Sequence, residues 1–162
     1  MIVVVADTSP INYLLQIGAI DLLAHFFEQI VIPKAVQKEL LNAASPEVVR
    51  QWVTHLPGWA TVRSALHVVP LNLDPGETEA IALAKEMGAF AVLLDDGEAR
   101  RAAKKQGLQV TGTIGILERA AAANLLDLSI AFEKLRATTY YASPELLQAA
   151  LDRNATRKRT ES

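Results

Sequence analysis

No cysteine occurs among the 162 residues. This excludes disulfides and thiolate metal sites, and it suits the reducing cytoplasm, the expected location. No apolar run approaches the roughly 18 residues a membrane span needs, so no membrane partner is expected. The apolar start of the chain stops at Asp7, too soon for a signal peptide. Charge of either sign is scarce in excess. At a net −2, nucleic-acid binding would have to come from local basic patches. The three histidines, His25, His55 and His67, show no ligand spacing and read as surface or partly packed residues. No Gly-rich Walker loop follows the first apolar run, which weakens a nucleotide-hydrolase or small-phosphatase reading. Internal repeats and low-complexity segments are absent. A single domain over 1–153 is expected, with a polar, disordered tail over 154–162.

What the chain does have is apolar residues, 51% of the total, in segments that alternate between strand and helix patterns. That alternation predicts an α/β fold, with helices packed on both sides of a central parallel sheet. The first strand is Ile2-Val3-Val4-Val5-Ala6, β-branched at four of five positions and readable as buried on both faces. Further strands are expected at 29–32, 67–69, 90–94 and 108–110. Helices are expected between them, including one over 33–43, one from Asp74 to Gly88 and one from 97 to 107.

Two of these strands end in aspartate, Asp7 and Asp95. In a parallel sheet all carboxyl ends share one edge, so both acids can converge where open α/β sheets bind ligands. Pro10 fits the first position of the next helix and Ser9 its N-cap, which leaves Asp7 free of capping. Glu39 lies beside the apolar stripe of Ile32, Val36, Leu40 and Ala43, where an inward carboxylate is costly unless paired or metal-bound. Each acid also has a plain explanation. Asp7 can close a turn, Glu39 can reach water, Asp74 and Glu77 resemble a capping box, and Asp96 can cap the helix after it. Glu79 points to another side of its helix. The signal is the set, because crowded carboxylates need protons or a divalent cation. Oxygen-only ligands favour Mg²⁺ or Mn²⁺.

A basic counterpart follows directly. Arg100, Arg101, Lys104 and Lys105 form a stripe on the helix after Asp95-Asp96, and Lys34 and Lys38 precede Glu39. Such stripes suit a phosphate backbone, although an ordinary solvated helix face has the same pattern.

The stretches Val5–Ile11, Ile32–Val36 with Glu39, Gly76–Ala84, Leu94–Asp96 and Val110–Gly115 together resemble PIN-domain proteins. Within that group the chain is similar to the compact bacterial and archaeal toxin nucleases of toxin–antitoxin pairs. The resemblance implies a three-layer α/β/α sandwich and a metal-dependent endoribonuclease that uses Mg²⁺ or Mn²⁺ on RNA, with an antitoxin as a candidate protein partner. It puts Asp7, Glu39, Glu77 and Asp95 on the family's acidic positions, with Asp7, Glu77, Asp95 and Asp96 as candidate metal ligands. Either Asp95 or Asp96 fills the fourth position. Glu77 departs from the pattern, since many relatives carry Asp there. Ser9, Arg100, Arg101, Lys104, Thr111 and Thr113 are the candidate substrate contacts. A non-catalytic RNA-binding or scaffold module with the same fold is the competing reading. The apolar helices around 48–56 and 125–135 exceed what one small sheet covers, so a homodimer is expected.

Overall fold

A computed structural model describes residues 2–161. Five parallel strands form one sheet in the order β3-β2-β1-β4-β5. They are β1 (Val3–Ala6), β2 (Gln29–Pro33), β3 (Ala60–Arg63), β4 (Ala91–Leu93) and β5 (Val110–Thr111). β1 is central, with Val4 opposite Ile30 of β2 on one side and opposite Ala91 of β4 on the other.

Side chains alternate across the pleat and divide the interior in two. Val4, Ala6, Ile30, Ile32 and Leu93 face one core. It is completed by α1 (Thr8–Gln16), α2 (Leu22–Phe26), α3 (Lys34–Leu40), α4 (Glu47–Thr54), α7 (Thr113–Ala122), α8 (Leu128–Arg136) and α9 (Pro144–Glu161). Val5, Val31, Val92 and Leu94 face the other core, against α5 (Pro75–Met87) and α6 (Gly97–Lys105). The expected α/β/α layering is therefore present. A strand covered on both faces has no polar side to show, which is why β1 reads as an unbroken apolar run.

From β1 the chain moves outward through β2 to β3, then returns through α5 to β4 on the other flank of β1. This reversal opens a crevice at the carboxyl ends of β1 and β4. Ile11 and Leu14 of α1 are fully buried beneath it. At roughly 1.5–3 kcal/mol each, they clamp the helix that carries Thr8 and Ser9 in its first turn.

Four expectations are corrected. The third strand lies at Ala60–Arg63, paired in register with β2 from Ile30↔Ala60, and 67–69 is an exposed loop. That loop is tied down by the Leu66 and His67 amides, which donate to the Glu86 carboxylate at 3.0 and 2.7 Å. Helix α3 stops at Leu40, short of 43. Ser9 is not an N-cap. The helix begins at Thr8, so Asp7 takes the cap position and Ser9 turns elsewhere. The polar segment from Asn154 continues α9 to Glu161, with Asn154 itself buried. Its Ala, Arg and Lys residues are good helix formers. Among the described residues, no helix is long and apolar enough to cross a membrane.

Candidate metal centre and nuclease cleft

Asp7 is the first residue past β1. Its amide donates to the Leu93 carbonyl at 3.1 Å, which extends the β1–β4 ladder by one bond and sets the carboxylate at the crevice. Although it occupies the N-cap position in extended backbone, its side chain makes no capping hydrogen bond. Only 5% of the residue is exposed, and Oδ1 is buried with no hydrogen-bond partner. Burial pushes its pKa up to about 8, opposed by a hydrogen bond from the Thr8 amide and reinforced by the charges of Asp74, Glu77 and Glu39. A buried, unpartnered carboxylate oxygen is costly and rare in native structures.

Two acids on other elements meet it. Glu39 of α3 accepts a hydrogen bond from the Thr8 hydroxyl and another from the Gly76 amide at 3.2 Å. A Cβ at Gly76 would stand 2.6 Å from Glu39 Oε1, so glycine there leaves room for the Glu39 carboxylate against the start of α5. Asp74 caps α5: its Oδ1 accepts from the Glu77 amide at 2.7 Å, while Glu77 Oε1 accepts from the Asp74 amide at 3.4 Å. One carboxylate oxygen each from Asp7, Glu39 and Asp74 lies within 4.8 Å of the others. Glu77 lines the same cleft. Burial, then the charges of Asp74 and Asp96, push its pKa up to about 7.

The opposite bank is built around Asp95. Its Oδ2 accepts from the Ser9 and Thr113 hydroxyls, both at 2.7 Å, and its Oδ1 accepts from the Thr113 amide at 2.7 Å. A Cβ at Gly112 would fall 2.7 Å from Asp95 Oδ1, which again explains the glycine. Asp96, one residue on, caps α6 through the Ala99 amide at 3.0 Å. Tyr140 closes the bank. Burial and the neighbouring charge of Asp95 raise its phenol above the ordinary tyrosine value.

The sequence description of the PIN domain matches residues 3–156, nearly the whole chain. The chain belongs to the PIN-domain family. No curated protein matches it. Among solved structures it is similar to a PilT N-terminus domain protein from the hyperthermophilic archaeon Sulfolobus solfataricus P2. That match has 17% identity, covers 87% of this chain and 97% of that one, and has a TM-score of 0.50, which supports the shared fold alone. PIN domains are in general divalent-metal-dependent nucleases, and the acidic set here is consistent with that chemistry.

In this PIN domain one cleft of about 590 Å³ collects Asp7, Ser9, Glu39, Glu77, Asp95 and Asp96. Thr113 braces Asp95 from behind and is fully buried. Thr111 is not among the residues lining the cleft. It faces a separate groove with Phe27 and Phe90. The basic stripe also divides. Arg100 turns inward and donates to the Leu94 carbonyl at 2.8 Å, whereas Arg101, Lys104 and Lys105 remain exposed. Arg101 lies over Gly97 at the cleft rim, where its Nη1 would be 3.2 Å from an added Cβ. Lys34 and Lys38 line a second, more apolar groove beside Glu39. Glu79 is structural, accepting from the Ala35 and Ala65 amides at 2.8 and 3.1 Å.

Sequence reasoning missed Asp74 as a site residue, because its capping role was a sufficient local explanation. It also missed Thr8 and the tyrosines of the cleft wall. Tyr13 comes from α1, and Tyr140 and Tyr141 from the segment before α9. The adjacent tyrosine pair was the one local signal available.

Proposed function

We propose that this PIN domain is an endoribonuclease that depends on Mg²⁺ or Mn²⁺. The observation that carries the reading is Asp7 Oδ1, a buried oxygen with no partner, set among the acids Glu39 and Asp74. Those three residues fit a hard divalent ion and would hold it, with Glu77 and Asp95 adding negative charge from either side. Such an ion, when bound, lowers the pKa of a ligated water and polarises a phosphodiester.

The remaining chemistry belongs to the chain. Thr8 and the Gly76 amide hold Glu39 in one orientation, and Ser9 and Thr113 do the same for Asp95. This leaves the carboxylates little freedom to collapse onto one another. Arg101 and Lys104 provide cationic contacts for the phosphate backbone at the rim. The test is cleavage of single-stranded and structured RNA with Mn²⁺, with and without EDTA. Metal-dependent cuts within the strand support the reading, and a folded protein that cuts neither RNA with Mn²⁺ overturns it.

The resemblance to toxin nucleases supports a finer role as the toxin of a toxin–antitoxin pair in the cytoplasm. Exposed Val48, Leu125 and Ile130 support the expected homodimer. Light scattering that finds a monomer across micromolar concentrations would remove the dimer.

A further inference from the structure

All three tyrosines of the chain line the acidic cleft, while its four phenylalanines and two tryptophans lie elsewhere. Their environments differ. Tyr13 and Tyr140 pack edge to face, with centroids 5.0 Å apart and planes at 78°. Beside them Tyr141 is 87% exposed, the most exposed large hydrophobic side chain among the described residues. A tyrosine ring can bury some 150–250 Å², so a free one on a cleft wall offers a large unused surface for binding.

The backbone that carries Tyr141 is anchored on both sides. The Thr138 hydroxyl donates to the Leu135 carbonyl at 2.6 Å and accepts from the Tyr140 amide at 3.1 Å. Thr139 and Tyr13 share a hydrogen bond of 2.9 Å between their hydroxyls. On the far side, Ser143 accepts from the Leu146 amide at 3.2 Å at the start of α9. An aromatic side chain on a pinned turn loses little freedom when it binds, since only its two side-chain torsions remain to be ordered.

We propose that Tyr141 is a stacking platform for an unpaired RNA base next to the cleavage site, a residue by which this chain selects unpaired over paired strands. The proposal rests on the ribonuclease reading above. A ring face recognises any base, whereas the bases of a duplex are already stacked on both faces and present only their edges. Acids at the cleft floor and an aromatic ring on its wall therefore separate two tasks, phosphate chemistry and base capture. Because a ring face stacks on any base, the selectivity that stacking confers is for unpaired over paired strands.

The test uses the full-length protein with Mn²⁺ and short RNAs carrying 2-aminopurine, single-stranded or annealed to a complement. Fluorescence is read by stopped flow before cleavage begins, and cleavage kinetics are followed separately. The wild type and Tyr141→Phe should quench the single strand and leave the duplex signal, already dimmed by base stacking, unchanged. Tyr141→Ala should lose the quench and raise KM for the single strand roughly 5- to 100-fold, with the effect in KM rather than kcat. Equal melting temperatures show that the variants fold alike. A Tyr141→Ala protein that quenches and binds like wild type overturns the platform, even if cleavage is robust. A wild type that quenches through Tyr141 but cuts nothing keeps the platform and overturns the nuclease reading alone. Equal quenching of single strand and duplex overturns the proposed selectivity.

Discussion

The two banks of the cleft hold their acids in opposite ways. On the β4 bank, Asp95 receives three hydrogen bonds from Ser9 and Thr113, so its charge is compensated from within the fold. On the β1 bank, Asp7 is more buried yet has one oxygen with no partner, and its nearest company is other acids. Donors to a carboxylate favour its charged form, whereas burial and like charges oppose it. One bank is therefore complete as folded. The other is stable only with a proton or a cation, and that asymmetry points to where a metal belongs.

The largest expected effect comes from making Asp7 neutral. Asp7→Asn should abolish metal-dependent cleavage while keeping the fold. In EDTA at pH 9 it should raise stability by on the order of 3–5 kcal/mol, because it removes a buried uncompensated charge. The wild-type protein should show the same cost as a pH dependence. Asp7 and Glu77 keep their protons to about 8 and about 7 in the fold, above the ordinary carboxylate values of 3.8 and 4.5. Below about pH 4 folded and unfolded states are both protonated, and their stability is intact. As pH rises the unfolded chain ionises first, so stability falls until the folded groups ionise as well, and it levels off above about pH 8. Urea denaturation in EDTA across that range measures the slope, and Asp7→Asn should flatten most of it. A metal-free wild type whose stability rises with pH would contradict the account of this bank.

The β4 bank should respond more moderately. Asp95→Asn turns a charged acceptor of three bonds into a neutral amide, at a cost of roughly 1.5–3 kcal/mol together with a loss of turnover. Asp96→Asn replaces one good helix cap with another and should stay within about 0.5 kcal/mol. Metal titration and thermal melting of the two variants measure the contrast, and the reverse order would place the functional acid one residue later. The smallest effect is expected outside both banks. Arg101→Ala with Lys104→Ala should leave folding and metal binding intact. It should weaken RNA binding and flatten its salt dependence by about 0.7 for each phosphate that is no longer neutralised. An unchanged salt slope would send the RNA path elsewhere, toward Lys34 and Lys38.

Legibility in the sequence followed the range of the interactions. β1 and β4 were readable because strands covered on both faces show continuous apolar runs. The Asp74–Glu77 capping box and the Asp96 cap were readable because each closes within three residues. β3 was not. It is an edge strand with Thr61 and Arg63 exposed, and its pattern is weaker than that of the β-branched loop His67-Val68-Val69. The strand is made by pairing with β2, which no local window contains. Helix α9 went past its expected end for a related reason, since it packs against α7 and α8, contacts that no local window contains.

The sequence by itself determined the α/β alternation, the capped helix starts at Asp74 and Asp96 and the acids at two strand ends, because caps, periodicity and turn chemistry act over a few neighbouring residues. Only the tertiary structure decided which acids meet. Asp7, Glu39 and Asp74 are separated by more than thirty positions each and converge because the strand order reverses at β1 and Gly76 leaves room for the Glu39 carboxylate. The same folding left Asp7 Oδ1 without a donor and satisfied both oxygens of Asp95. Two aspartates that look equivalent in the sequence thus acquire opposite electrostatics, because burial and donor geometry belong to the packed chain.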